Sequence, residues 1–336
     1  MIEVGDHSPQ GGVASPAGRH SPVGDALFAW PDLRRLGALS AGVAAAQIWP
    51  RAWDVTLTAA WFHLYRTVAG STIDEIATRM RYQLPASPGG EPHRSLAERH
   101  VRARIEDMWG RILGLHRHGY RPSIEVDGLD HVRGALARGR GVVVWCLRVG
   151  SATVLKQGFH AAGLPLHHLS RAEHGSLSTT RLGLGVVAPL YRRVEDAVLA
   201  ERIQIPTGGS VAYLRTIADR LAANRCVSIF GEHAGRQSVE VEVLGTRRRF
   251  AFGAPSLAWR ANAGLLTALS VREGPFRHRV VIDEEIPVDR DIPRKRFAEC
   301  AVHAFAGRLE GCIRRHPADW QGWLYLDAIE REARPS

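Results

Sequence analysis

The spacing of apolar positions changes period along the chain, and each change marks an element. Residues 142–147 form a continuous apolar run, rich in β-branched side chains and bounded by glycines, which predicts a buried strand. A helix follows from about Ser151 to Ala162, so a strand hands over to a helix at a small-residue turn. Buried strands are also predicted over 164–169, 202–206 and 226–230, and an alternating strand over 239–244. Further strands fall at 265–271 and 279–286. Helical spacing covers 95–116, where Leu96, Val101, Ile105, Met108, Trp109 and Ile112 share a stripe. It returns at 131–137, after Ser210, and over 292–315. Strands alternating with helices predict an α/β fold with a central mixed, mostly parallel sheet flanked by helices.

Before this unit, residues 25–82 read as helices carrying Trp30, Trp49, Trp53, Trp61, Phe62 and Tyr65. Aromatic residues at helical spacing are usually buried, so this region is expected to cover the core rather than lie on a membrane. Residues 84–92, with three prolines and two glycines, predict a loop. Residues 1–24 are rich in Gly, Pro, Ser and His and predict a flexible tail. The expected organisation is thus a tail (1–24), an N-terminal helical region (25–120) and an α/β unit (121–330).

The turn between strand and helix is where chemistry is expected, because ligands of open α/β sheets bind beyond the carboxyl ends of the strands. Residues 139–153 read Gly-Arg-Gly-Val-Val-Val-Trp-Cys-Leu-Arg-Val-Gly-Ser-Ala-Thr. This stretch resembles the lysophospholipid acyltransferase superfamily, in particular the bacterial lipid A (lauroyl/myristoyl) acyltransferase branch. The closing Pro317-Ala-Asp-Trp-Gln-Gly-Trp resembles that family's last segment, and the order of elements agrees from about Asp25 to Asp327. The resemblance implies an acyltransferase-like sheet and an acyl donor. The family's catalytic His falls on Arg148 and its partner carboxylate on Thr153, so the His-x4-Asp/Glu dyad is replaced. Arginine stays protonated at any working pH and cannot be the general base. Family relatives also often end a later strand in Asp-Gln-x-x-Gly, where this chain has Gly231-Glu232-His233-Ala234-Gly235.

A formal charge of +10 and a pI of about 10.1 point to a polyanionic partner: anionic headgroups, a phosphorylated carrier or nucleic acid. Lys156 and Lys295 are the only lysines, so the charge is almost all guanidinium. Cys146, Cys226, Cys300 and Cys312 lie at no metal-like spacing and read as core thiols of a reducing compartment. No leader and no apolar run of spanning length is visible. A cytoplasmic protein is expected, at most peripheral to the inner face of the membrane and in transient contact with anionic lipid. No metal or cofactor is implied, and the oligomeric state is left open.

Arg148 is the sharpest candidate, a fixed positive charge where an oxyanion or phosphate belongs, with backbone amides near Gly150 and Ser151 beside it. The His-x4-Asp/Glu spacing recurs at 20/25, 93/98, 168/173 and 278/283. Of these, His168 with Glu173 is the preferred displaced dyad. His278 and Asp283 are set aside because an offset of five in a strand puts them on opposite faces. Arg171, Glu232, His233, Arg236 and the run Arg247-Arg248-Arg249 are candidates for binding substrate, the last as a phosphate clamp. Two functions follow. One is an acyl-group transferase using an activated ester or thioester (acyl-CoA, acyl carrier protein or aminoacyl-tRNA) and an already nucleophilic acceptor. The other is a catalytically inactive protein of the same fold that binds a lipid or a partner enzyme.

Overall fold

The computed structural model describes residues 27–48, 54–68, 70–115, 121–171, 180–206, 211–232 and 237–324. Helices α1 (Trp30–Ile48), α2 (Asp54–Val68), α3 (Gly70–Gln83) and α4 (His93–Gly114) precede the sheet. Then come β1 (Ser123–Asp127), α5 (Leu129–Ala137), β2 (Val142–Cys146), α6 (Ala152–Ala161) and β3 (His167–Arg171). A π-turn and α7 (Ala188–Asp196) lead to β4 (Glu201–Ile205), α8 (Ala212–Ala222) and β5 (Cys226–Phe230). The chain closes with β6 (Ser238–Val243), β7 (Thr246–Ala251), α9 (Gly253–Ala261), β8 (Gly264–Gly274), β9 (Arg277–Ile282) and α10 (Arg294–Arg315).

Seven strands form one sheet in the order β1-β9-β8-β2-β5-β3-β4, and every pairing is parallel except β8 with β9. The predicted mostly parallel α/β sheet with a helical N-terminal region is therefore present. β2 is the central strand and is buried along its whole length. Its alternate residues feed two layers. Val143, Trp145 and Leu147 join the core with α2, α3, α9 and α10, where Trp145 stacks on Phe305 at 4.1 Å. Val142, Val144 and Cys146 join the core with α5 and α6. Register then fixes which residues share that second face. Cys146 lies opposite Ala268, Ala268 opposite Ile282 and Arg272 opposite His278, so Cys146, Ala268, Ser270, Arg272, His278 and Val280 all point the same way.

α4 contributes to both sides of the functional end. Leu96, Val101 and Ile105 pack into the first layer, while His100, Glu106 and Arg111 are buried polar residues of the same helix. The N-terminal aromatics behave largely as a cover: Phe62 and Tyr65 are buried, and Trp61 meets Trp109 edge-on at 6.4 Å. Trp30 differs, being 69% exposed beside exposed Leu27 and Phe28. Trp49 and Trp53 lie outside the described residues, as do the tail and the 207–210 turn expected to cap α8. Among the described residues no helix is long and apolar enough to cross a membrane.

Candidate functional site

The turn after β2 is built by a glycine that nothing else can replace. Gly150 has φ of +67°, and a Cβ there would sit 2.0 Å from the Ser270 carbonyl oxygen. That close approach lets the backbone pass β8 and start α6 at once. Ser151 is the N-cap: its Oγ accepts from Val154 N at 3.3 Å, and its own N–H donates to Ser270 Oγ at 2.8 Å. The Ser151 hydroxyl donates in turn to Asp107 of α4. The closing Trp-rich segment lies alongside. Val149 pairs with Trp320, Gly150 N donates to Asp319 O at 2.8 Å, and Gln321 N donates to Arg148 O at 2.9 Å.

Arg148 lies two residues beyond the carboxyl end of β2. Its backbone N–H donates to Glu232 Oε1 at 2.6 Å, and its guanidinium carbon lies 5.8 Å from the centre of the Phe230 ring. Glu232 has φ of +60°, and its other oxygen accepts from Trp320 Nε1 at 2.8 Å. Burial pushes the Glu232 carboxyl above its usual range, against those two hydrogen bonds and the charges of Arg148 and Arg248. Glu232 therefore ties the end of β5, the turn and the closing segment together.

Thr153 of α6 is buried and donates to Glu195 Oε1 at 3.4 Å. Glu195 of α7 is fully buried and accepts from Lys156 Nζ at 2.7 Å, Arg111 at 2.9 Å and Arg202 at 3.1 Å. A carboxylate thus does reach this spot, but from another helix and already compensated by three cations. Burial lowers the Lys156 pKa, and Glu195 opposes that shift. Cys146, on the same face, is pushed up to about 12 by burial, which makes it an inert core thiol.

The other sequence candidates separate. His168 is buried in β3 with its Nδ1 2.9 Å from Ser228 Oγ and its ring edge-on to Phe230 at 5.6 Å. Its expected partner Glu173 lies outside the described residues, as do His233 and Arg236. Arg171 is exposed at the end of β3. The run Arg247 to Arg249 does not act as one clamp, because strand alternation divides it. Arg247 is exposed and pairs with Glu240 at 3.3 Å, whereas Arg248 is buried, donates to Gln83 Oε1 at 2.7 Å and lies 4.8 Å over Trp320. Arg249 sits opposite Glu240 in the hairpin register.

On the far side of Ser151 the structure brings together groups that the sequence did not pair. A small pocket, with room for about one water-sized polar group, is lined by His100, Arg104, Asp107, Ser151, His278 and Asp319, among others. His278 Nε2 is 3.6 Å from Glu106 Oε1. Glu106 Oε2 accepts two bonds from Arg272, at 2.9 and 2.6 Å. Burial holds His278 below its usual pKa against Glu106 and Asp107. Asp107 is drawn low by Arg111, Arg104 and Ser151, which together outweigh its burial. Burial raises Asp319 to about 6. Asp283 lies elsewhere, accepting from Thr267 at 2.5 Å, and the carboxylate beside His278 is instead Glu106 of α4. Among the described residues no cluster of His, Cys, Asp and Glu is placed to hold a metal ion.

No family model matches the chain. The phosphatidylinositol mannoside acyltransferase of Mycobacterium tuberculosis is 28% identical over 198 residues, a similarity that covers 58% of this chain and 57% of that protein. The chain is thus distantly similar to an acyltransferase.

Proposed function

We propose that this protein moves an acyl or aminoacyl group from an activated ester or thioester to an amine, hydroxylamine or hydroxyl acceptor at the turn between β2 and α6. The similarity to an acyltransferase carries this reading, and the turn supports a way of doing it. Arg148 supplies a permanent positive charge at the carboxyl end of the central strand, where a tetrahedral oxyanion would develop. The Glu232 bond to its backbone N–H, the Trp320 bridge and the Gly150 approach hold the backbone from which that charge projects. With Arg148 in place of an imidazole, proton removal does not fall to this residue.

The donor is an acyl-CoA, an acyl carrier protein or a charged transfer RNA, each consistent with the +10 charge. A peripheral contact with anionic membrane suits the same charge and the exposed Leu27, Phe28 and Trp30. Incubating purified protein with each labelled donor over an acceptor panel tests the reading, and a labelled product that depends on Arg148 is expected. A second reading is favoured by the Thr153 position, where a closed ion network stands in place of a reactive carboxylate: a binding protein that turns over nothing. Absence of product with every donor and acceptor would select it.

A further inference from the structure

The pocket beside Ser151 holds two buried imidazoles whose hydrogen-bonding state follows from their surroundings. His100 is 1% exposed, and its Nδ1 lies 2.8 Å from the Ala318 carbonyl oxygen. A carbonyl can only accept, so Nδ1 carries the proton. Burial lowers the ring's pKa to about 4, so it holds one proton at neutral pH and its Nε2 is a bare lone pair. That Nε2 is buried and has no hydrogen-bond partner among the described residues, and the same is true of both nitrogens of His278. Asp107 and Asp319 add carboxylates to the lining. The guanidinium of Arg272 is engaged by Glu106 at 2.6 Å. Asp107 already accepts from Ser151 and faces Arg104, and Asp319 accepts from Arg272 N, so His100 Nε2 is the bare acceptor of this lining, and a buried acceptor without a donor is costly.

We propose that this pocket seats the nucleophilic N–H or O–H of the acyl acceptor, with His100 Nε2 orienting it and His278 taking its proton. This rests on the acyl-transfer reading, but the pocket's preference for hydrogen-bond donors is testable without it. The Nε2 edge of His278 faces Glu106, which leaves Nδ1 to receive the proton. As the acceptor's nitrogen or oxygen bonds to the acyl carbon, its proton passes to Nδ1, and the imidazolium is held by Glu106 with Asp107 nearby. The intermediate collapses by breaking the C–S or C–O bond of the donor, and the leaving thiolate or alkoxide takes the proton back. The charged and titratable groups around His278 are Glu106 and Asp107 from α4 and Arg272 and Glu273 from β8, with His100, Arg104 and Asp319 lining the same pocket.

Full-length protein with ¹⁵N-labelled histidine tests the binding half. Ring nitrogen spectra are followed while ethanolamine or glycerol, which bring N–H and O–H donors, is added, with trimethylamine N-oxide as the acceptor-only control. His100→Phe assigns the signal. His100 Nε2 is expected to leave its bare-lone-pair position with ethanolamine or glycerol and to ignore the control. A signal unmoved by either donor probe means a pocket that takes water only, and overturns the proposal. In a single-turnover transfer assay, His278→Gln is expected to slow the chemical step by about 10²-fold or more while donor binding and the fold, read from the amide spectrum, stay native. Transfer at the unaltered rate would remove His278 from the reaction while leaving the transferase reading intact. Ring signals that respond in a protein with no transfer from any donor would do the reverse.

Discussion

Replacing Glu195 by Gln probes the ion network under the turn. Glu195 is fully buried and is the common partner of Lys156, Arg111 and Arg202. An amide keeps the volume and loses the charge, which leaves Lys156, itself 1% exposed, without its counter-ion. Breaking a buried pair in this way costs about 3–5 kcal/mol. Loss of the lysine proton limits the cost: moving from the ordinary lysine value near 10.4 to neutral pH is worth about 5 kcal/mol. At about 2 °C per kcal/mol for a chain of this size, the melting temperature is expected to fall by about 6–10 °C. The sign with pH follows from the lowered folded pKa of Lys156. The unfolded chain binds that proton more readily, so stability rises as pH climbs toward the ordinary lysine range, and the deficit of the variant shrinks. Denaturation melts at pH 7 and pH 9.5 read both quantities. A variant melting within about 1 °C of the parent, or a deficit that does not change with pH, would refute the network as drawn.

Three further outcomes are expected. Asp319 titrates near 6 when folded and near 3.8 when unfolded, so its protonated form favours the folded state and stability is lost as pH rises through this interval. Asp319→Asn is expected to remove that loss, about 2–3 kcal/mol across pH 4 to 6, as read by urea denaturation. Gly150→Ala puts a methyl into the Ser270 carbonyl at a left-handed backbone position, and should cost at least about 2 kcal/mol and depress activity with it. Thiol labelling of native protein should modify one cysteine fast, exposed Cys300, with Cys146, Cys226 and Cys312 reacting only on unfolding.

The order of strands and helices was legible because the sheet's apolar runs are short, β-branched and bounded by glycines, a pattern that a buried parallel strand imposes on its own sequence. The turn was legible because Gly150 and Ser151 answer local demands, one of backbone and one of capping. What lay beyond reach was pairing between distant elements. α7 is a short helix whose one decisive residue, Glu195, looks like any surface acid until Lys156, Arg111 and Arg202 close on it. His278 was judged by its neighbours in sequence, whereas its carboxylate comes from α4. The clue available was on α4 itself, where His100 stands four residues after Leu96 on the helix's buried stripe. Arg247 to Arg249 shows the converse error: a charge run reads as one patch, but a strand sends its middle residue to the opposite face.

The most direct measurement is single-turnover transfer from labelled donor by the parent protein and by Arg148→Ala. The bond from the backbone of residue 148 to Glu232 survives that substitution, and Trp320 and the charge of Arg248 still offset burial of the Glu232 carboxyl, so folding is expected to be near native. Loss of one oxyanion-stabilising group corresponds to a fall of about 10²–10³ in the chemical step. Labelled product from the parent and that fall in the variant, with melting temperatures alike, is the expected result. Equal rates from the two proteins, or no product from either with any donor, would contradict acyl transfer at this turn.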